Sequence, residues 1–357
     1  LLSRLPFYIE GSYSCEPIKS LKKCISCRWR NSRDKKRRSK ATKIVLLESL
    51  GIPAELLKSY ADKLEAKGHT FAAYEKNTDA QVQIDRAQDA DVIMIANMPL
   101  KGEVIRACKN LKFINVAFTG VDHVDLAAAK EMGVKVSNAS GYSTQSVAEL
   151  ALGMMLSLLR NVPQVEERCR AGKTKDGLVG TELRGKTVGI VGAGAIGQNT
   201  GRLCKAFGCK VIAYNHRPKQ AAEGTIDEFV DLDTLTRESD IISLNCPLND
   251  STRGMFDFGR IAMMKKTAIL INVARGPVVD SRALADALNE GRIAGAGIDV
   301  FETEPPLDVN HPLLHTPNTI VTPHVAFASK ESMALRAQIV FDSLDSFLAG
   351  KQVNVIL

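Results

Sequence analysis

Three residues of this chain have side chains that together can grip an anion and move a proton: Arg275, Glu304 and His324. Each follows a short apolar run that reads as a buried parallel strand. Ile269–Asn272 precedes Arg275, residues 296–300 precede Glu304, and Thr319–Val321 precedes His324. In an open parallel sheet, ligands bind in the crevice outside the carboxyl ends of the strands. A guanidinium, a carboxylate and an imidazole there make a carboxylate clamp beside an acid–base pair.

A second motif lies upstream, at Gly192-Ala193-Gly194-Ala195-Ile196-Gly197. Thr187–Val191 before it is β-rich and apolar. After it, residues 195–207 have helical spacing, with Ile196, Thr200, Leu203 and Phe207 on one face, and Lys210–Tyr214 reads as a second strand. Strand, glycine turn, helix, strand is the context that a dinucleotide fingerprint requires. The turn lets the backbone approach a pyrophosphate, and the helix N-terminus offers it free N–H groups. Gly192, Gly194, Ala195, Ile196 and Gly197 are therefore cofactor-binding candidates. The plain alternative is a tight βα turn with no ligand.

The elements that position these residues alternate between strand and helix. Strands are predicted at 43–47, 70–74, 91–95 and 111–116, with helices opened by Pro53 and at Ala80–Ala87, 102–108 and 126–132. A second set of strands is predicted at 188–191, Lys210–Tyr214, Ile241–Leu244, 268–272, 296–300 and Thr319–Val321. Such alternation gives parallel sheets covered by helices. Residues 143–160 read as a buried helix capped by Ser143, and 171–185 as a polar loop. A final helix at 329–348 is expected to pack back on the first sheet. The expected fold class is α/β with two doubly wound parallel-sheet domains. The first is a flavodoxin-like substrate domain of residues 42–142 plus 326–357. The second is a Rossmann dinucleotide-binding domain of residues 143–325.

The 357 residues are 45% apolar, enough for two cores. The nearly apolar stretch 150–159 is too short for a bilayer, which needs about 20 residues, so no membrane partner is expected. The net charge of +7 resides in residues 1–41, which hold 12 Lys/Arg against 3 Asp/Glu, leaving 35 basic and 37 acidic residues for the body. The body therefore presents no electrostatic case for nucleic acid. The basic extension, with Cys15 and Cys24-Ile25-Ser26-Cys27, reads as disordered and dispensable, of the kind expected of upstream sequence read through from an incorrect start. A transit peptide or a nucleic-acid-binding arm are the alternatives, and half a zinc site is a weak one. No metal site is expected. Cys108, Cys169, Cys204, Cys209 and Cys246 have no framework spacing and read as reduced thiols of a cytoplasmic protein.

From Lys43 onward the chain resembles the D-isomer-specific 2-hydroxyacid dehydrogenases, in particular those that reduce glyoxylate and hydroxypyruvate. The resemblance rests on residues 188–197, on the long segment 264–280 (MKKTAILINVARGPVVD), and on Asp299-Val300-Phe301-Glu302-Thr303-Glu304-Pro305 followed by Thr322-Pro323-His324. It implies hydride transfer between a nicotinamide cofactor and a small 2-oxo or 2-hydroxy acid. Arg275 would bind the substrate carboxylate and carbonyl through two parallel hydrogen bonds. His324 would be the proton donor, kept charged by Glu304. Main-chain N–H groups at Thr119-Gly120-Val121 and the loop at Asn97 would meet the substrate. Cys246, Pro247, Thr252, Val273, Ala274, Arg275, Asp299 and His324 would contact the cofactor, Asp299 through the nicotinamide carboxamide. The resemblance also implies a homodimer through residues 164–170 and the polar loop beyond.

An acid normally selects NAD about 20 residues past the glycines. Here that position reads Asn215-His216-Arg217. With no acid to repel a 2′-phosphate, and with Arg217 and His216 able to pair with it, NADP(H) is favoured. The alternative is NAD(H), its ribose bonded by Asn215. The uncharged loop 97–100 argues for a substrate with a small neutral side chain and, more weakly, against 3-phosphoglycerate, so a phosphoglycerate dehydrogenase stays as an alternative. Relatives that oxidise formate carry glutamine where Glu304 stands, which counts against formate. A nucleotide-sensing module of the C-terminal binding protein type is the alternative from a different class.

Overall fold

A computed structural model describes residues 41–217, 224–303 and 306–357. The basic extension and Glu304 lie outside the described residues, as do Pro218 and Lys219 beyond the Arg217 turn. Among the described residues, twelve strands form two parallel sheets. The first holds β1 (Lys43–Leu46), β2 (Thr70–Ala73), β3 (Val92–Ile95), β4 (Phe113–Val116) and β5 (Lys135–Asn138). Its order, β2-β1-β3-β4-β5, is the flavodoxin-like one. The second holds β6 (Thr187–Val191), β7 (Lys210–Tyr214), β8 (Glu228–Phe229), β9 (Ile241–Leu244), β10 (Ile269–Asn272), β11 (Gly295–Ile298) and β12 (Thr319–Val321). Its order, β12-β11-β10-β9-β6-β7-β8, is that of a doubly wound dinucleotide-binding sheet with one added strand. The expected fold class is thus the observed one.

Around the first sheet lie α1 (Ala54–Ala66), α2 (Ala80–Ala87), α3 (Gly102–Ala107) and α4 (Leu126–Glu131). Between the sheets in sequence come α5 (Thr144–Leu159) and α6 (Val162–Arg170). The second sheet is wrapped by α7 (Ala195–Ala206), α8 (Leu232–Glu238), α9 (Phe258–Ala262) and α10 (Ser281–Asn289), and α11 (Lys330–Leu348) closes the chain's helices. No described helix is long and apolar enough to cross a membrane.

Why each element stops and starts is local chemistry. Asp79, Asp125, Asp231, Asp257 and Asp280 each accept the N–H three residues on and so cap their helices. Ser329 and Ser332 cap α11 reciprocally. The expected cap at Ser143 is not made. Ser143 has φ −106° and ψ 6°, outside the extended region that a capping residue normally adopts. Strand β5 escapes a search for apolar runs because Ser137 and Asn138 sit in it. Both are buried with partners: Ser137 donates to Val353 O at 2.7 Å and Asn138 to Thr119 O at 2.6 Å. At two residues, β8 is too short to show any period.

The last helix returns to the first sheet. Phe341 stacks on Tyr60 and Phe347 on Phe113, each at 4.1 Å between ring centres. Asn115 in β4 donates to Val340 O at 2.8 Å, which sets the helix's height on the sheet. Ala337, Val340, Phe341 and Leu344 join the apolar core of residues 44–142. The second sheet has two further apolar clusters, one of which takes in the buried side of α5.

The crevice of the first sheet, between β1 and β3, is filled by the protein itself. Glu48 is buried, and one carboxylate oxygen accepts the N–H groups of Ala96 (2.7 Å) and Met98 (2.8 Å). Burial pushes its carboxyl above the usual range, against those bonds and the charges of Lys76 and Arg336. Glu48→Gln keeps the acceptor and should retain or gain stability at neutral pH. Glu48→Ala strands two buried N–H groups and should lose about 3 kcal/mol in urea unfolding. A raised folded-state pKa stabilises below the unfolded-state value, and that contribution is lost as pH rises through the folded one. The glutamine variant should therefore gain on wild type as pH climbs out of the carboxylate range.

Candidate active site

The second sheet reverses its order between β6 and β9, and the chain leaves both strands into one crevice. Gly192, directly after β6, has φ +95°, and a Cβ there would lie 2.6 Å from the Cys246 backbone nitrogen. Only glycine fits both demands. Gly194 precedes α7, and nothing stands within 4 Å of where its Cβ would be. The first main-chain bond of the helix runs from Gln198 N–H to Gly194 O, at 2.9 Å. The N–H groups of Ala195, Ile196 and Gly197 come before that ladder, so they and the helix dipole face the open turn. Asn245, after β9, spends its amide nitrogen on Ser243, while its oxygen is buried without a partner among the described residues. An open glycine turn with an orphaned acceptor beside it fits a dinucleotide, whose hydroxyl or amide groups can donate there.

Two cavities meet at Cys246 and Pro247. The larger, about 510 Å³, runs from the glycine turn to the ends of β10, β11 and β12. Arg275 reaches it from a turn locked by Asn272. That buried side chain accepts from Ala274 N (3.1 Å) and donates to Arg275 O (3.0 Å). The Arg275 guanidinium donates through Nη1 to Ala274 O at 2.8 Å. Its Nε faces both carboxylate oxygens of Asp122, at 3.1 and 3.3 Å. Nη2 lies against Gly120, where a Cβ would stand 1.8 Å from it.

His324 sits on the same wall, just past β12, with φ +55°. A left-handed residue with a bulky side chain needs the surroundings to hold it. Asp299 does so. Its backbone oxygen accepts His324 N–H at 2.8 Å. Its carboxylate accepts the Thr322 hydroxyl (2.6 Å) and the N–H groups of Val325 (2.8 Å) and Ala326 (2.9 Å). Burial pushes the Asp299 carboxyl up despite these donors. The imidazole stands edge-to-face against Phe118 and Phe327, at 5.7 and 5.4 Å. Tyr142 lies in the same wall, and burial pushes its phenol up to about 12.

Gly194, Ala195, Ile196, Gly120, Val121, Val273, Ala274, Arg275, Asp299 and His324 line one cavity. Gly192, Asn215, His216, Arg217 and Thr252 line the smaller one, about 350 Å³, and Cys246 and Pro247 line both. Gly197 lies under the turn, packed against Gly192. The Asn215 amide donates to Arg217 O at 2.7 Å, leaving the His216 and Arg217 side chains exposed at the rim. The Thr252 hydroxyl donates to Pro247 O at 2.7 Å and so shapes its loop. Asn97 is not on the wall of either cavity; its loop is drawn onto Glu48 instead. Phe118, Asp122, Tyr142, Asn245 and Phe327 line the main cavity without having been singled out. Only Asp122 had a local signal, its place two residues after Gly120.

Residues 152–326 match the family model described as the NAD-binding domain of D-isomer specific 2-hydroxyacid dehydrogenases. A hydroxypyruvate reductase of Blautia hydrogenotrophica is 38% identical over 304 residues, covering 82% of this chain and 93% of the relative. Among solved structures, an acyclic imino acid reductase in complex with NADPH and D-Arg superposes with a TM-score of 0.81 at 30% identity, covering 88% of this chain and 100% of that one. An NAD-dependent formate dehydrogenase from Staphylococcus aureus in complex with NAD gives 0.79, also at 30% identity, covering 88% and 99%.

Proposed function

This chain belongs to the D-isomer-specific 2-hydroxyacid dehydrogenase family and is an NAD(P)-dependent oxidoreductase; we propose that it reduces a small 2-oxo acid such as hydroxypyruvate or glyoxylate, with NADPH preferred. The observation that carries this reading is the shared wall: Arg275, His324 and the glycine turn line one cavity. A nicotinamide cofactor held at the glycine turn would supply the hydride that the keto carbon takes up. Arg275 grips the substrate carboxylate, helped by main-chain N–H groups at Gly120 and Val121. His324 gives its proton to the oxygen of the former ketone, and takes it back in the reverse direction. Glu304, outside the described residues, is the carboxylate that the family resemblance assigns as the partner of His324. Phe118 and Phe327 hold the imidazole plane and keep water from it.

In this reading residues 42–142 plus 326–357 form the substrate domain and 143–325 the nucleotide domain; the separate apolar cores support that division. A homodimer through α6 belongs to the same proposal, since no residue of α6 is buried in the single chain.

Absorbance of NADPH and NADH at fixed hydroxypyruvate tests the proposal. Activity with neither cofactor on either acid would reject it. If Arg217 meets a 2′-phosphate, Arg217→Ala should raise the KM for NADPH about tenfold and leave that for NADH unchanged. Equal effects on both would return the preference to NAD.

A further inference from the structure

The contact between Asp122 and Arg275 joins loops of the two sheets, 153 positions apart in the chain. Resting on the proposed reduction of a 2-oxo acid, we propose that Asp122 is a positioning and specificity-determining residue: it aims the Arg275 guanidinium, and its charge restricts the substrate to acids with a single anionic group.

The aim follows from where the donors go. Nε is taken by Asp122 at 3.1 and 3.3 Å and Nη1 by Ala274 O at 2.8 Å. Two anchors at different nitrogens fix the plane of the guanidinium. Its outer end is thereby presented over Gly120, beside the loop whose N–H groups would share the substrate carboxylate. Without Asp122 the side chain would keep one anchor and rotate about it.

The charge restriction follows from what else is present. Asp122 is 38% exposed and Arg275 21%, both on the cavity wall. The pair is neutral before substrate arrives. Among the described lining residues, Arg275 is the one permanent cation. A substrate carboxylate is then the second anion around it. A further anionic group on the same substrate would meet Asp122, while the protonated His324 is engaged with the oxygen of the ketone. Partly exposed charges a few ångströms apart repel enough to change binding about tenfold.

The test compares hydroxypyruvate, with one carboxylate, and oxaloacetate, with two, in wild type, Asp122→Asn and Asp122→Glu. Asparagine keeps an acceptor for Nε and removes the charge. Its preference for hydroxypyruvate over oxaloacetate, in kcat/KM, should shrink about tenfold. Glutamate keeps the charge but shifts the anchor, so it should lose efficiency on both acids, with KM rising more than kcat falls, and retain the preference. Calorimetric binding of oxamate and oxalate should show the same change in selectivity without turnover. An asparagine variant that alters both acids by one common factor, or neither, overturns the inference while leaving the proposed function standing. A wild type that neither reduces nor binds any of these acids overturns the proposed function and this inference with it.

Discussion

Replacing His324 with asparagine should lower kcat about 10²–10⁴-fold, the usual contribution of a positioned general acid. Asparagine is chosen because His324 has φ +55°, a conformation that asparagine adopts with little strain. The turn held by Asp299 through Thr322, Val325 and Ala326 should then persist. What is lost is the proton that the new hydroxyl group needs. The cofactor should still bind, because the glycine turn is untouched. Stopped-flow turnover and cofactor fluorescence titration separate the two effects. A variant with near-normal kcat would mean that the proton comes from elsewhere, and His324 would return to a structural role.

The second large effect is expected from a single methyl group. Alanine at Gly120 would place its Cβ 1.8 Å from Arg275 Nη2 and 2.8 Å from an Asp122 oxygen. Both neighbours are the ends of side chains, so the protein can yield there without disturbing its cores. The guanidinium must then move by more than an ångström. Misplacing a clamp by that much costs about 10²-fold in kcat/KM. The melting temperature should shift by only a few degrees. Gly120→Ala should thus look folded, bind cofactor and turn over poorly. A melting temperature that collapses along with activity would show the loop to be structural and Arg275 not to be the cause.

Much of this molecule could be read along the chain, for reasons visible in particular residues. Strands buried on both faces appear as runs such as Ile269-Leu270-Ile271-Asn272, and their expected limits fall within about two residues of the observed ones. The fingerprint was legible because a glycine turn, its strand and its helix are consecutive and need no distant partner. Arg275 and His324 were legible because each follows such a run. Strand β5 was not, because its polar side chains make sense only once Val353 and Thr119 are beside them. Nor were α6 and α8–α10 assigned, since all but one are short helices with few apolar residues to set a period.

By itself the sequence determined the class of fold, the family and the residues that end the strands, since these depend on periodicity and on chemistry within a few positions. Tertiary structure alone decided which of them share a wall. It drew the N–H groups of Ala96 and Met98, on either side of Asn97, onto Glu48, placed Phe118 and Phe327 against His324, and set Asp122 against Arg275. Those are contacts between residues far apart in the chain. They exist only when the order of each sheet, and the way the two sheets face each other, brings their loops within a few ångströms.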